Sequence, residues 1–281
     1  SLLKKYGKAP GASTGKYQQH LDRVNGYRRK DHCHYFLRLP LTRKFDEIRG
    51  VHEVATAPAH ELLAEEFEER PEVRKQLDLE IANESLPPAY QFHPVVERGK
   101  HDGETVYPYV IYTDAVPYNN HDSAIGIFVY WLISGQRNLT VVLRKSNLCR
   151  CGCRGWCTMY EVFKYLHHEI QCLAEGFRPP RRHDGQPWKE PYDRYRRMAA
   201  GSPLGFRACL LYIKMDMAEL CPWGLPAHNS LSPCIYCHAN LENLFEFSHF
   251  TSLDCGFREA EYIDYDTACI DCEIWVTVTR P

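Results

Sequence analysis

What most constrains this chain is the order of its apolar runs between Tyr107 and Met215: three short β-type runs, one long helical period, then a further β-type run. Tyr109-Val-Ile-Tyr-Thr113 follows Pro108 and reads as a buried strand that delivers Asp114 just past its end. Its β-branched and aromatic residues suit a pleated surface, and proline is tolerated at a strand's start. Ile125 to Ile133 and Leu139 to Leu143 read as two more strands, joined by Ser134-Gly-Gln-Arg-Asn138, a hairpin-length connection. Thr158-Met-Tyr-Glu161 has the form of a capping box, Met159, Val162, Phe163, Leu166, Ile170 and Leu173 keep one helical face, and Gly176 can end the helix. Phe206 to Met215 is the fourth β-type run, and Asp216 follows it at once. The expected class is α/β: an antiparallel meander whose helical crossover sets the fourth strand parallel to the first and beside it.

With 281 residues, 44% of them hydrophobic, the chain can bury a sizeable core, which excludes a disordered tail, a fibrous repeat and a stapled mini-protein. No membrane span is expected, because the longest nearly apolar run, Ala124 to Ile133, is far short of the roughly 20 residues a bilayer needs. The 34 Lys+Arg and 36 Asp+Glu nearly cancel, yet they are unevenly placed. Residues 1–30 hold eight bases against Asp22 alone and read as a basic flexible arm, able to track phosphates or simply to be solvated. Its Gly11 to Lys16 stretch is not a phosphate loop, since Pro10 takes the place of the first Gly and Tyr17 that of Ser/Thr. Residues 31–100 read as mostly helical, with an acidic pair of solvated helices over residues 61–80 split at Pro71 and a break at Leu86-Pro87-Pro88. Residues 101–281 form the expected core domain, with a Cys-rich insertion over 217–270. The opening Ser-Leu-Leu-Lys-Lys and the strand-like close lead us to expect a piece of a longer protein. Thirteen Cys without a secretory signal point to reduced thiols or metal ligands in an intracellular setting.

Three constellations carry chemistry. If the fourth strand lies beside the first, Asp114 and Asp216 meet at neighbouring strand ends. Two carboxylates there are hard oxygen donors able to share divalent cations, Mg²⁺ or Mn²⁺, for an in-line phosphoryl transfer. The same residues also suit plain structural duties, Asp114 opening a turn and Asp216 capping a helix. Second, Cys149, Cys151, Cys153 and Cys157 lie within nine residues, with Gly152 and Gly155 letting the backbone fold back, so four thiolates can close a tetrahedral shell around structural Zn²⁺. Cys234 and Cys237 make a further zinc half-site, for which Cys255, or Cys269 with Cys272, could supply the rest. Third, the loop from Phe177 to Arg197 carries seven bases (Arg178, Arg181, Arg182, Lys189, Arg194, Arg196, Arg197) against three acids, interleaved with Trp188, Tyr192 and Tyr195. Arg forks and aromatic faces suit a nucleic-acid contact, while the same loop could instead pair with the acidic helices. No Gly-x-Ser-x-Gly elbow, His-Glu-x-x-His or Gly-x-Gly-x-x-Gly is present, so no hydrolase triad, zinc protease or dinucleotide cofactor is expected.

The stretch Tyr112-Thr-Asp114-Ala-Val-Pro117-Tyr, then Phe206-Arg-Ala208 running into Asp216, Gly224-Leu-Pro226 and Pro233-Cys234-x-x-Cys237, resembles the catalytic core of DDE/D transposases, particularly those of CACTA-type DNA transposons. The resemblance spans Tyr109 to Cys237. It implies a ribonuclease-H-like mixed sheet with flanking helices, Asp114 and Asp216 as the first two metal-binding acids, DNA as partner, Mg²⁺-dependent cleavage and strand transfer, and a nuclear location. Ala115 stands where that family commonly has Gly, Ile235 replaces the Pro inside the Cys pair, and Glu273 lies within an apparent strand rather than on the helix where a third acid belongs. Either the third acid lies past Pro281 or the copy is decayed. The competing reading is a non-catalytic, zinc-stabilised module that binds nucleic acid or protein, its aspartates structural.

Overall fold

The computed structural model describes residues 35–43, 47–119, 122–189 and 193–215. The basic arm, Asp216, Cys234, Cys237 and the Cys-rich insertion lie outside the described residues.

From Tyr107 onward the expected order is found. β3 (Val106–Asn119), β4 (Asp122–Trp131) and β5 (Asn138–Arg144) form the antiparallel meander, α5 (Trp156–Glu175) crosses over, and β6 (Arg207–Met215) returns parallel to β3. The sheet order is β5-β4-β3-β6, a mixed four-stranded sheet. The edge strand β5 alternates between buried and exposed positions from Val141 to Arg144, the mark of a strand with one face in the core.

The chain before this sheet is less uniformly helical than expected. A hairpin comes first, β1 (Tyr35–Thr42) paired antiparallel with β2 (Arg49–Thr56). Pro40 lies in the middle of β1, where a two-stranded ribbon leaves edge positions at which a missing N–H is harmless. Then come α1 (Ala59–Glu69) and α2 (Pro71–Ala82), divided at Arg70 with Pro71 as first residue of the second helix, where its absent N–H costs nothing. Two shorter helices follow, α3 (Pro88–Gln91) and α4 (Pro94–Asp102).

These helices are not all solvated. α1 turns Leu63 and Phe67 into the same core as Tyr109, Ile127, Val129 and Trp131 of the sheet. The Phe67 ring stacks on Trp131 at 4.0 Å, Tyr107 and Phe206 meet this pair edge-on, and the Trp131 indole N–H donates to the Leu63 carbonyl at 3.2 Å. The core therefore continues across the Leu86-Pro87-Pro88 break. α5 buries Met159, Val162, Leu166 and Leu173, as its period requires, and Gly176 closes it in the left-handed conformation at φ 75°. A side chain there would also strike the Arg207 side chain and the Phe206 carbonyl at the start of β6.

Buried polar groups are matched across elements. Glu169 of α5 accepts from the His60 imidazole at 2.7 Å and from the His60 backbone N–H at 3.2 Å. Burial disfavours charge on both, but each partner holds the other ionised: His60 is raised and Glu169 held well below the usual carboxylate range, with His168 contributing. No helix among the described residues is long and apolar enough to cross a membrane.

Candidate functional site

The cysteine knuckle is built by the loop between β5 and α5. A short 3₁₀ turn (Lys145–Asn147) leads to Leu148, which bridges to Leu41 of the hairpin, and the chain then reverses through Gly152, Arg154 and Gly155, all at positive φ. Gly155 donates its N–H to the Cys149 carbonyl at 3.0 Å, and Trp156 donates to that of Cys153 at 2.9 Å. The four Sγ atoms of Cys149, Cys151, Cys153 and Cys157 all lie within 4.8 Å of one another, with Cys151 and Cys157 3.7 Å apart. A tetrahedral Zn²⁺ with Zn–S bonds of about 2.3 Å needs sulfurs roughly 3.8 Å apart, so little movement closes the shell. The cluster can hold a metal ion, as its spacing indicates.

Hydrogen-bond donors reach two of its sulfurs. The Cys157 N–H donates to the Cys153 sulfur at 3.4 Å, and the Arg49 guanidinium of β2 donates to the Cys149 sulfur at 3.1 Å. Against the upward push of burial, hydrogen bonds from Cys149, Cys153 and Cys157 draw the Cys151 thiol down to about 7. Burial, then its Cys153 and Cys151 neighbours, pushes Cys157 up to about 12, and burial raises Cys149. Four thiolates repel without a cation among them, so metal uptake releases protons. Cys149 is buried and Cys151 exposed, which leaves one side of the knuckle facing solvent.

Thr158 departs from its expected role. The helix begins two residues earlier, with Gly155 as N-cap, and the Thr158 hydroxyl receives the Cys149 N–H at 2.9 Å while donating to the Pro40 carbonyl. The capping box yields to a tertiary clasp that ties hairpin, knuckle and helix.

At the sheet, Asp114 lies inside β3 rather than past its end, opposite Gly126 of β4, and the strand runs on to Asn119 with an irregularity after Pro117. Ala115 and Val116 keep pairing with Ile125 and Ala124, so Asp114 opens no turn. Asp114 is half-buried. Burial, then the Asp114 carboxylate, raises the Tyr112 hydroxyl, and the Arg137 guanidinium lies 4.5 Å from the Tyr112 ring centre. The parallel register ends with Thr113 opposite Met215, the residues that precede Asp114 and Asp216 in the chain.

The basic loop is largely a fastening. Arg196 of the short helix α6 (Arg194–Ala199) is buried between Glu61 and Asp193, and Tyr195 also donates to Glu61. Arg182 is buried against Asp193, donates to the Phe36 carbonyl at 2.7 Å and covers the Tyr35 ring. Trp188 is 8% exposed, its indole N–H on the Pro179 carbonyl. For Arg182, Trp188 and Arg196 the expected nucleic-acid contact therefore gives way to a structural role, since side chains this deep offer nothing to a phosphate or base. Arg178 is half-buried and donates to the Pro203 carbonyl, while Lys189 reaches Glu53 at 3.8 Å; Arg181, Lys189, Arg194 and Arg197 are exposed. The Arg49 contact with Cys149 and the His60–Glu169 pair had no sequence signal, since each joins residues about a hundred positions apart.

No protein-family model, curated protein or solved structure matches the chain.

Proposed function

We propose that the chain carries a ribonuclease-H-like domain of DDE/D-transposase type, directed to DNA in the nucleus, in which Asp114 and Asp216 hold Mg²⁺ or Mn²⁺ for phosphoryl transfer. The observation that carries the reading is the sheet itself: a three-stranded meander followed by a helical crossover to a fourth strand, parallel and adjacent to the first. That connectivity sets Thr113 of β3 opposite Met215, the last residue of β6, and the residues that follow these two in the chain are the carboxylate pair we propose for a shared metal. Asp114 suits such an ion, being a hard oxygen donor that retains solvent access. The bound cation would polarise a phosphate oxygen and favour deprotonation of the attacking hydroxyl or water. The part of this chain's own residues is to supply carboxylate charge from rigid strands, with the Tyr112 hydroxyl beside Asp114 as an adjacent donor.

A second reading, a zinc-stabilised module without catalysis, draws support from the cysteine knuckle, and zinc there is structural in either case because four thiolates leave no open coordination position. Calorimetric titration of Mg²⁺ into the chain, wild type against Asp114→Ala and Asp216→Ala, separates the two. Binding lost in both variants upholds the shared site. Binding that neither substitution alters, with about one zinc per chain by metal analysis, leaves only the module.

A further inference from the structure

Beside the knuckle, the first turns of α5 hold two aromatic rings out in solvent. Trp156 is 45% exposed and Tyr160 50%, with ring centres 6.3 Å apart. Neither hangs loose. The indole leans on Phe163 at 5.7 Å, which packs against the main core, and the Trp156 N–H is tied to the Cys153 carbonyl. The Tyr160 ring has the Lys164 ammonium 5.3 Å from its centre. A rigid aromatic pair of this kind loses little conformational entropy when something stacks on it.

The ground around it is basic. From Arg144 to Lys164 the chain carries Arg144, Lys145, Arg150, Arg154 and Lys164 against Glu161 alone. Arg150 and Arg154 are exposed on the knuckle, and Arg49 enters from the hairpin to meet the Cys149 sulfur. Arg144, Arg150 and Lys164 share their charge with Asp122 at 3.0 Å, Glu47 at 3.6 Å and Glu161 at 3.1 Å, and a Zn²⁺ bound by four thiolates adds two negative charges, so with Arg49, Lys145 and Arg154 the face keeps a small positive surplus. We propose that this face binds single-stranded nucleic acid, with bases stacking on Trp156 and Tyr160 while Arg150, Arg154 and Lys164 meet the phosphates. Exposed ring faces next to Arg and Lys are the two halves of such a site, and a duplex, whose base faces are already stacked, can use only the second. An acidic protein would likewise engage the cations and leave the rings idle. The inference uses neither aspartate, so it stands or falls apart from the phosphoryl-transfer reading.

The test is anisotropy of a labelled 12-residue oligothymidylate titrated with the zinc-loaded 281-residue chain, with same-length duplex and polyglutamate as competitors. Stacking contributes about 1–3 kcal/mol per base, so Tyr160→Ala weakens binding roughly 5- to 150-fold, Trp156→Ala does the same, and Tyr160→Phe keeps the affinity. Zinc content and melting temperature of Tyr160→Ala stay as in wild type, because the ring it removes is surface. Arg150→Ala with Arg154→Ala flattens the dependence of log K on log salt by about 1.4, at roughly 0.7 per phosphate contact. Unchanged oligothymidylate affinity in both Trp156→Ala and Tyr160→Ala would overturn the proposal, as would equal competition by duplex or by polyglutamate.

Discussion

Replacing Arg196 by Ala asks whether the basic loop is a clasp or a nucleic-acid grip. The Arg196 side chain is 3% exposed and its charge-assisted hydrogen bonds to described residues include Nε to Glu61 Oε1 at 2.6 Å, Nη2 to Glu61 Oε2 at 2.9 Å and Nη1 to Asp193 Oδ1 at 2.7 Å. Truncating one partner of a buried ion pair costs about 3–5 kcal/mol, chiefly because a charge is left stranded. Here the stranding is incomplete. Asp193 keeps Arg182 at 3.1 Å, and Glu61, whose side chain is 26% exposed, can rehydrate, so the lower end applies, about 3 kcal/mol. Arg194→Ala, on the same helix but exposed, should stay within about 0.5 kcal/mol. Urea unfolding followed by circular dichroism measures both, and the expected result is a lower midpoint for Arg196→Ala with an unchanged slope. A loss under about 1 kcal/mol, or equal effects of the two substitutions, would refute the clasp.

The buried pair sets a pH dependence. The raised His60 imidazolium contributes fully below its ordinary value of 6.5 and loses its contribution as pH rises through the folded value, while the depressed Glu169 contributes above its ordinary 4.5 and is lost on acidification. Thermal melts across pH should therefore peak between those values and fall on either side, and Glu169→Gln should flatten the profile; a wild-type melting temperature that climbs from about pH 6 to 8 would oppose this. Cys153→Ser should take zinc from about one per chain to near zero and lower the melting temperature by about 4–8 °C, the equivalent of roughly 2 kcal/mol, as measured by metal analysis and calorimetry. Gly155 sits at φ 94°, where an added Cβ would lie 3.1 Å from Leu148, so Gly155→Ala should cost about 1–3 kcal/mol in urea unfolding and weaken zinc retention against a chelator.

The meander and crossover were legible because each element advertises itself over a short window: a run of β-branched and aromatic residues from Tyr109, the helical period from Met159 to Leu173, and the return at Phe206. The knuckle was legible for the same reason, its four sulfurs being near in sequence before they are near in space. What failed was information held at a distance. Thr158 followed by Glu161 is a sound local helix start, but Pro40 and Cys149 claim the hydroxyl. Arg182, Arg194 and Arg196 look alike in a basic loop, and only Glu61, Asp193 and the Tyr35 ring decide which of them are buried. The hairpin lies within residues 31–100, a stretch expected to be mostly helical.

We propose that Asp114 of β3 and Asp216, which follows β6 in the chain, share one divalent-metal site. Titrating Mn²⁺ into the zinc-loaded chain, with electron paramagnetic resonance counting the free ion, tests it most directly. A saturable site in the wild-type chain that disappears in Asp114→Asn and equally in Asp216→Asn is the result expected. Mn²⁺ that stays free in the wild type, or binds unchanged in either variant, would contradict the claim.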